Sequence, residues 1–413
     1  MKIATSLRPQ IRRGSLAVVA LLGSVIALVA SSLALVDADT LRQPLAHLIS
    51  KHTGRDIRAA GPLRLHVLSL HPSLVAEQLT IGNPPWIPAG TLAKVAKLSV
   101  TFDLPWWGRS FAIRTLRLDG LELHLIRDVD AHANWYWKAP GTLPGKGAPL
   151  IYGLSVPDAH VRLDDDRRHL VFDGKLTIED AAQPADSAPA SPAPLRILVK
   201  GHLNGRDVSL RIAGDPLATV ARERPYRFTL EEHSSGSDLT GQAFLPRPFD
   251  FRLLEGTFAA HGADLKDLYF LVGAILPNTG PYRLSGKVTR HYTTFTLSDL
   301  RATSGESDVR LTLVSQFFEN GTSHVNVDVQ SQHLRLADLG PRSAGRAAGP
   351  PEAKPLLLPE TQIRIDGVRR SNAEIIFEAR ELEAGTFSFR SVAGQMSIVY
   401  GEVNVPRVTA ALS

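Results

Sequence analysis

The sequence predicts a mainly β chain: one N-terminal transmembrane helix, then a long antiparallel β-sheet with a few short helices. Three observations predict it. The first is a single long apolar run near the N-terminus. The second is a succession of short segments in which apolar residues recur at every other position, the period of a strand. The third is composition. The 413 residues contain no cysteine, 44% hydrophobic and 21% charged residues, so the body is globular and carries neither disulfides nor thiolate chemistry. At roughly 100–200 residues per domain this length suggests two or three units, or one long sheet-built body. The net charge is +5, from 46 basic and 41 acidic residues. These charges are interspersed, and no nucleic-acid-binding stripe is expected.

Residues 1–15 form a basic tail containing Lys2, Arg8, Arg12 and Arg13. Leu16 to Val36 follow without a charge, long enough to cross the ~30 Å hydrocarbon core as a helix. Asp37 and Asp39 come next. The positive-inside rule keeps the tail cytoplasmic and sends the rest across the membrane, as a single-pass protein. Ser32-Leu33-Ala34 offers a small-x-small cleavage site, but the apolar run exceeds the ~7–15 residues of a signal-peptide core, which favours an uncleaved anchor. Leu41, Leu45, Leu48 and Ile49 then recur at helical spacing, with Gly54 as a natural C-cap.

From Gly61 onward the period is two. Leu63, Leu65 and Val67 alternate with Arg64 and His66. Leu116 and Leu118 alternate with Arg117 and Asp119, and after Gly120 come Leu121, Leu123 and Leu125. Further runs are Leu195/Ile197/Val199, Val208/Leu210/Ile212, Val309/Leu311/Leu313, Val325/Val327/Val329, Ile363/Ile365 and Phe387/Phe389. Two Pro/Ala/Ser- or Gly/Pro-rich stretches, 181–194 and 340–355, read as linkers or loops. They divide the body into 37–180, 195–339 and 356–413. About 20 strand-like runs at ~4.8 Å each would give a sheet of at most ~100 Å.

Period-two strands present one apolar face. It can be core, packed against another layer, or an open groove for an apolar ligand. Leu121, Leu123 and Leu125, then Leu63, Leu65 and Val67, are the candidates for its lining. Trp106-Trp107 are candidates for contact with a membrane interface, where the indole ring sits at headgroup level; with Trp135-Tyr136-Trp137 they serve equally well as caps on the sheet. Catalytic signals are poor. The 14 histidines form no HExxH, Asp128-Val129-Asp130 lacks the glycine and distal glutamate of a calcium loop, and Gly145-Lys146-Gly147 lacks phosphate-loop spacing. Asp164-Asp165-Asp166 reads as a solvated hairpin tip. No enzyme activity, metal or cofactor is expected.

Several short motifs carry a family resemblance. Gly54-Arg55, Gly61 opening a strand, Asn83-Pro84-Pro85-Trp86 and Asn134-Trp135 form one block. Pro277 and Gly280, in Leu276–Tyr282, form a second with Ser307-Asp308. In order and spacing they resemble the AsmA family. The resemblance implies a repeating β-groove, a curved sheet with an apolar inner surface, anchored in the inner membrane with its bulk in the periplasm. It also implies a role in outer-membrane biogenesis, by binding or transferring phospholipid, with other envelope proteins as further partners. Two alternatives stay open: a scaffold or regulator of outer-membrane protein assembly and targeting to the membrane, and an anchored envelope hydrolase. Family members usually extend further, and Val403 to Ser413 reads as a strand in mid-sheet, so a C-terminally short form is expected.

Overall fold

A computed structural model describes residues 50, 54–66, 69, 71–103, 112–130, 132–135, 150–167, 169–179, 194–222, 224–247, 250–268, 276–318, 322–339, 371–399 and 402–412. The apolar run Leu16 to Val36, Val67, Trp106, Trp107, Ile363, Ile365 and nearly all of both loop stretches lie outside these residues. No helix among the described residues is long and apolar enough to cross a membrane. The chain divides into two compact units, one up to Arg224 and one from Pro225.

In the first unit, β1 (Ile57–Ala59) and β2 (Leu63–His66) both pair antiparallel with β3 (Ser73–Gly82). β4 (Thr91–Asp103) and β5 (Ala112–Arg127) continue the antiparallel order. The short β6 (Leu150–Ile151) and β7 (Leu154–Asp165) then run parallel to β5. β8 (Leu170–Glu179), β9 (Leu195–Leu203) and β10 (Arg206–Gly214) complete the ladder antiparallel. Asn204-Gly205, both at positive φ, close the β9–β10 hairpin, the turn whose twist matches paired strands.

The alternation read from the sequence holds strand by strand, but it slips once, and in step, across four neighbours. On β4, Ala93 and Val95 are buried, Ala96 and Lys97 are exposed, then Leu98, Val100 and Phe102 are buried. On β3 the apolar residues run Leu74, Ala76, then Leu79; on β5 they run Leu116, Leu118, then Leu121. On β7, buried Val156 and Ala159 flank Pro157-Asp158. The register aligns these slips, since Ala76 opposes Leu98 and Leu98 opposes Leu118, while Leu79 opposes Val95 and Val95 opposes Leu121. Gln78 (φ 54°) and Gly120 (φ 60°) carry the left-handed backbone this requires. A Cβ on Gly120 would lie 2.8 Å from the Ala96 Cβ, so glycine is needed there for both φ and space. One extra residue per strand bends a sheet and increases its twist. Aligned across neighbours, the slips crease the sheet while keeping its apolar side chains on one face. Beside the crease, Val100, Phe102 and Ile113 are at most 2% exposed, each worth about 1.5–3 kcal/mol of burial.

The second unit is a meander of β11 (Tyr226–Ser234), β12 (Ser237–Leu245), β13 (Leu253–Gly262), β14 (Tyr282–His291), β15 (Thr294–Ser304), β16 (Ser307–Phe317) and β17 (Ser323–Arg335). β18 (Ser371–Ala384) joins β17 in parallel, followed by antiparallel β19 (Phe387–Val399) and β20 (Glu402–Leu412). Short 3₁₀ turns, Leu265–Leu268 and Leu336–Asp338, follow β13 and β17. A positive-φ residue sits inside β15 at Asp299 and inside β19 at Ser391.

Candidate functional site: an apolar sheet face

Register places the apolar residues of successive strands side by side. In the first unit one row runs Leu79, Val95, Leu121, Ala159, Leu176, Val199, Leu210 from β3 to β10. Beside it runs Ile81, Ala93, Leu123, Val161, Gly174, Gly201, Val208. Gly174 and Gly201 oppose each other so closely that a Cβ on Gly201 would come within 2.5 Å of the Gly174 Cα; the two backbones meet here because neither carries a side chain. In the second unit one row crosses nine strands: Phe228, Ala243, Gly256, Val288, Leu297, Leu313, Val327, Ile375, Met396.

Most residues of these rows are partly buried, neither hidden nor free. Among the described residues, the strands contact their ladder neighbours and short 3₁₀ turns, with no second sheet laid over the rows within either unit. The opposite face is polar. There His124 pairs with Asp164 at 2.6 Å, His160 with Asp173 at 3.0 Å and Lys94 with Glu122 at 3.3 Å. Each unit is thus a sheet with an oily and a wet side. A lone apolar face of this extent, lined by aliphatic side chains, accommodates hydrocarbon without stranding a polar group.

Of the sequence-predicted lining residues, Leu63 and Leu65 on β2 and Leu121, Leu123 and Leu125 on β5 are all partly buried. Leu63 and Leu121 pack on the core that holds Val95 and Leu98. The sequence reading did not single out the second unit's row, although Leu313 and Val327 stood in its period-two runs.

The first block of signature residues converges on one buried knot. Asn134 has no exposed surface. Its Oδ1 accepts from the Ile126 N–H at 2.9 Å. Its Nδ2 donates to Asn83 Oδ1 at 2.9 Å and to the His124 carbonyl at 2.8 Å. The buried Arg55 donates from Nη2 to the Asn134 carbonyl at 2.7 Å. Gly54, at φ 66°, donates its N–H to the Ser50 carbonyl at 2.9 Å. Gly61 donates to the Glu77 carbonyl and leaves no room for a Cβ beside it. Trp86 lies against His132, and the Arg127 guanidinium sits 5.0 Å over the Trp135 ring. The knot ties β5 and its following turn to the loops entering β1 and leaving β3. The named hydrogen bonds of Asn134 and Arg55 are all internal, which marks the knot as structural.

The second block converges likewise. Asp338 accepts from the Ser307 hydroxyl at 2.8 Å and from the Glu306 and Ser307 N–H groups at 3.1 Å. Asp308 accepts from the His333 N–H at 2.8 Å. Ser304 donates to the Gly280 carbonyl, and Thr279, beside Pro277 and Asn278, bridges to Leu339.

Two carboxylates depart from expectation. Asp165, read as part of a solvated tip, is 2% exposed and lies 3.5 Å from Arg127. Its neighbour Asp164 is partly buried, which pushes its carboxyl up; hydrogen bonds from His124 and Arg162 outweigh that and hold it below the usual range. The turn begins at Asp166, and parallel pairing of β7 with β5 sets Asp165 against Arg127 and Asp164 against His124. Glu232 was not singled out. It occupies an apolar-face position on β11, opposite Leu239, is 2% exposed, and neither carboxylate oxygen has a hydrogen-bond partner. Burial holds its carboxyl above the usual range, partly offset by the nearby Ser234. Among the described residues, no cluster of three or more His, Asp or Glu side chains could hold a metal ion.

The model of the AsmA family matches residues 11–142. The chain is 23% identical over 367 residues to AsmA family protein YhjG of Escherichia coli (strain K12), an alignment covering 76% of this chain and 52% of that protein. The chain therefore spans about half the length of the curated relative it matches. No solved structure matches it. The resemblance carried by Arg55, Asn83 and Asn134 is borne out: the AsmA family model matches residues 11–142, and the likeness to a family protein extends over 76% of the chain.

Proposed function

We propose that this protein is a non-enzymatic envelope protein, anchored in the inner membrane, whose body binds or transfers phospholipid along the apolar face of its sheet in the periplasm. The supporting observation is the row of aliphatic side chains from Leu79 to Leu210 in the first unit and the mainly apolar row from Phe228 to Met396 in the second, most of them partly buried and each bordered by a polar reverse face. Family similarity supports the envelope setting. Acyl chains gain about 0.8 kcal/mol per buried CH₂, so contact across a few strands holds a chain. A smooth aliphatic wall lets it slide.

Lipid mass spectrometry of the full chain, extracted and purified in mild detergent, tests this. Phospholipid at near-stoichiometric amounts is expected. It should fall several-fold in the double variant Leu123→Asp/Leu210→Asp, while Glu122→Gln on the reverse face leaves it unchanged. A wild-type protein free of phospholipid overturns the carrier reading and favours the scaffold in outer-membrane protein assembly.

A further inference from the structure

We infer that one end of the second unit is a membrane-docking rim, built for the surface of a bilayer containing anionic phospholipid. Three loops meet there. Tyr292 donates its N–H to the Arg252 carbonyl at 2.7 Å, and Phe317 donates to the Thr293 carbonyl at 2.9 Å. These bonds set the loop before β13, the β14–β15 turn and the end of β16 side by side. Each carries aromatic side chains into solvent: Phe251 is 60% exposed, Tyr292 37%, Phe317 51% and Phe318 47%. Four large exposed aromatics on adjacent loop tips are unusual, because exposed apolar residues are ordinarily scattered.

The β14–β15 turn supplies an independent sign. Tyr292 holds φ at 56°, where Gly205, Gly236, Gly305 and Gly385 serve four other hairpins and His169 serves the β7–β8 turn. A bulky residue in that region costs about 1 kcal/mol or more, and such strain collects at functional positions. The electrostatics match an anionic surface. Arg252 is bidentate with Asp250, so that pair is neutral, and its guanidinium lies 5.3 Å over the Tyr292 ring. Arg247 and Arg290 are exposed and in no ion pair among the described residues, with Glu255 farther up β13. Phenyl rings that can enter the acyl boundary, a tyrosine at headgroup level and exposed guanidinium groups, of which Arg290 donates from Nε to the Tyr292 carbonyl at 3.3 Å, are the components of interfacial binding. This rim does not depend on the proposed lipid-carrying face, and each can fail alone.

The chain has no cysteine, so Thr293→Cys creates a single labelling site at the rim and Glu306→Cys one at a β15–β16 turn at the opposite strand ends. The full chain, reconstituted in phosphatidylcholine vesicles with and without phosphatidylglycerol, is labelled with a polarity-sensitive dye and quenched with brominated lipid. The Thr293 probe should be quenched in phosphatidylglycerol vesicles, several-fold more than the Glu306 probe and less at high salt. Phe251→Ser/Phe317→Ser/Phe318→Ser should remove most of the difference. Tyr292→Gly should weaken it while raising the unfolding midpoint, a combination that a purely structural tyrosine would not produce. Absent quenching at Thr293, equal quenching at both sites, or quenching indifferent to Tyr292→Gly and the phenylalanine variant overturns the inference.

Discussion

The two units begin from the same sequence pattern and end differently. In the first, Val100, Phe102, Ile113 and Val156 are at most 2% exposed, and part of the apolar face is core. In the second, Phe387, Val403, Val408 and Leu412 are each at least 53% exposed, and the apolar face is still exposed at β19 and β20. What separates them is the placement of irregularities. The first unit aligns its slips on β3, β4, β5 and β7, so they add to one crease. In the second, Asp299 slips alone within β15, and Ser391 lies in a different part of the sheet. A bulge bends one strand, whereas a row of bulges folds a sheet. The comparison teaches that alternation supplies an oily face, and register of the slips decides how much of it becomes core.

The crease is the place to break this contrast. Gly120→Val meets both a positive φ and the Ala96 Cβ, and should destabilise the first unit by about 3 kcal/mol or more, read as a lower denaturant midpoint for that unit. The second unit should keep its own midpoint. Asn134→Ala leaves the Ile126 N–H, the His124 carbonyl and Asn83 short of partners in a buried site, and should cost about 2–3 kcal/mol in the same assay.

In the second unit the expected sign is opposite. Glu232 prefers its proton in the folded state because burial raises its carboxyl. Its favourable contribution is therefore full below the ordinary carboxyl range and is lost as pH rises through the raised value. Glu232→Gln should raise stability at neutral pH by about 1–2 kcal/mol, and thermal melts should show no gain in acid. An equal gain at all pH values would mean that the charge is not the cost. The smallest effect belongs to the wet face: Glu122→Gln removes an exposed pair with Lys94 and should change stability by at most about 0.5 kcal/mol.

Much of this was legible in the chain. Leu195, Ile197 and Val199 read as a strand and form β9, and Leu63, Leu65, Leu121, Leu123 and Leu125 lie where alternation put them. Gly120 was visible as a break between two runs, but the slips at Gln78, Ala96 and Asp158 were not, since each involves one residue whose meaning depends on the strands beside it. Glu232 looked like any solvent-facing charge, and Asp165 like a turn residue. Their burial comes from neighbours distant in sequence. Phe251, Tyr292, Phe317 and Phe318 are far apart in the chain, and only strand pairing gathers them at one end.

The sequence by itself determined the β class, the two-faced strands and the family resemblance of residues 11–142, because these rest on local periodicity and on short motifs read in order. Tertiary structure alone decided which signature residues touch, where the sheet creases and which side of it stays open. Those outcomes depend on register between strands. A shift of one residue in register exchanges the two faces of a strand, and no local pattern records which neighbour a strand will meet.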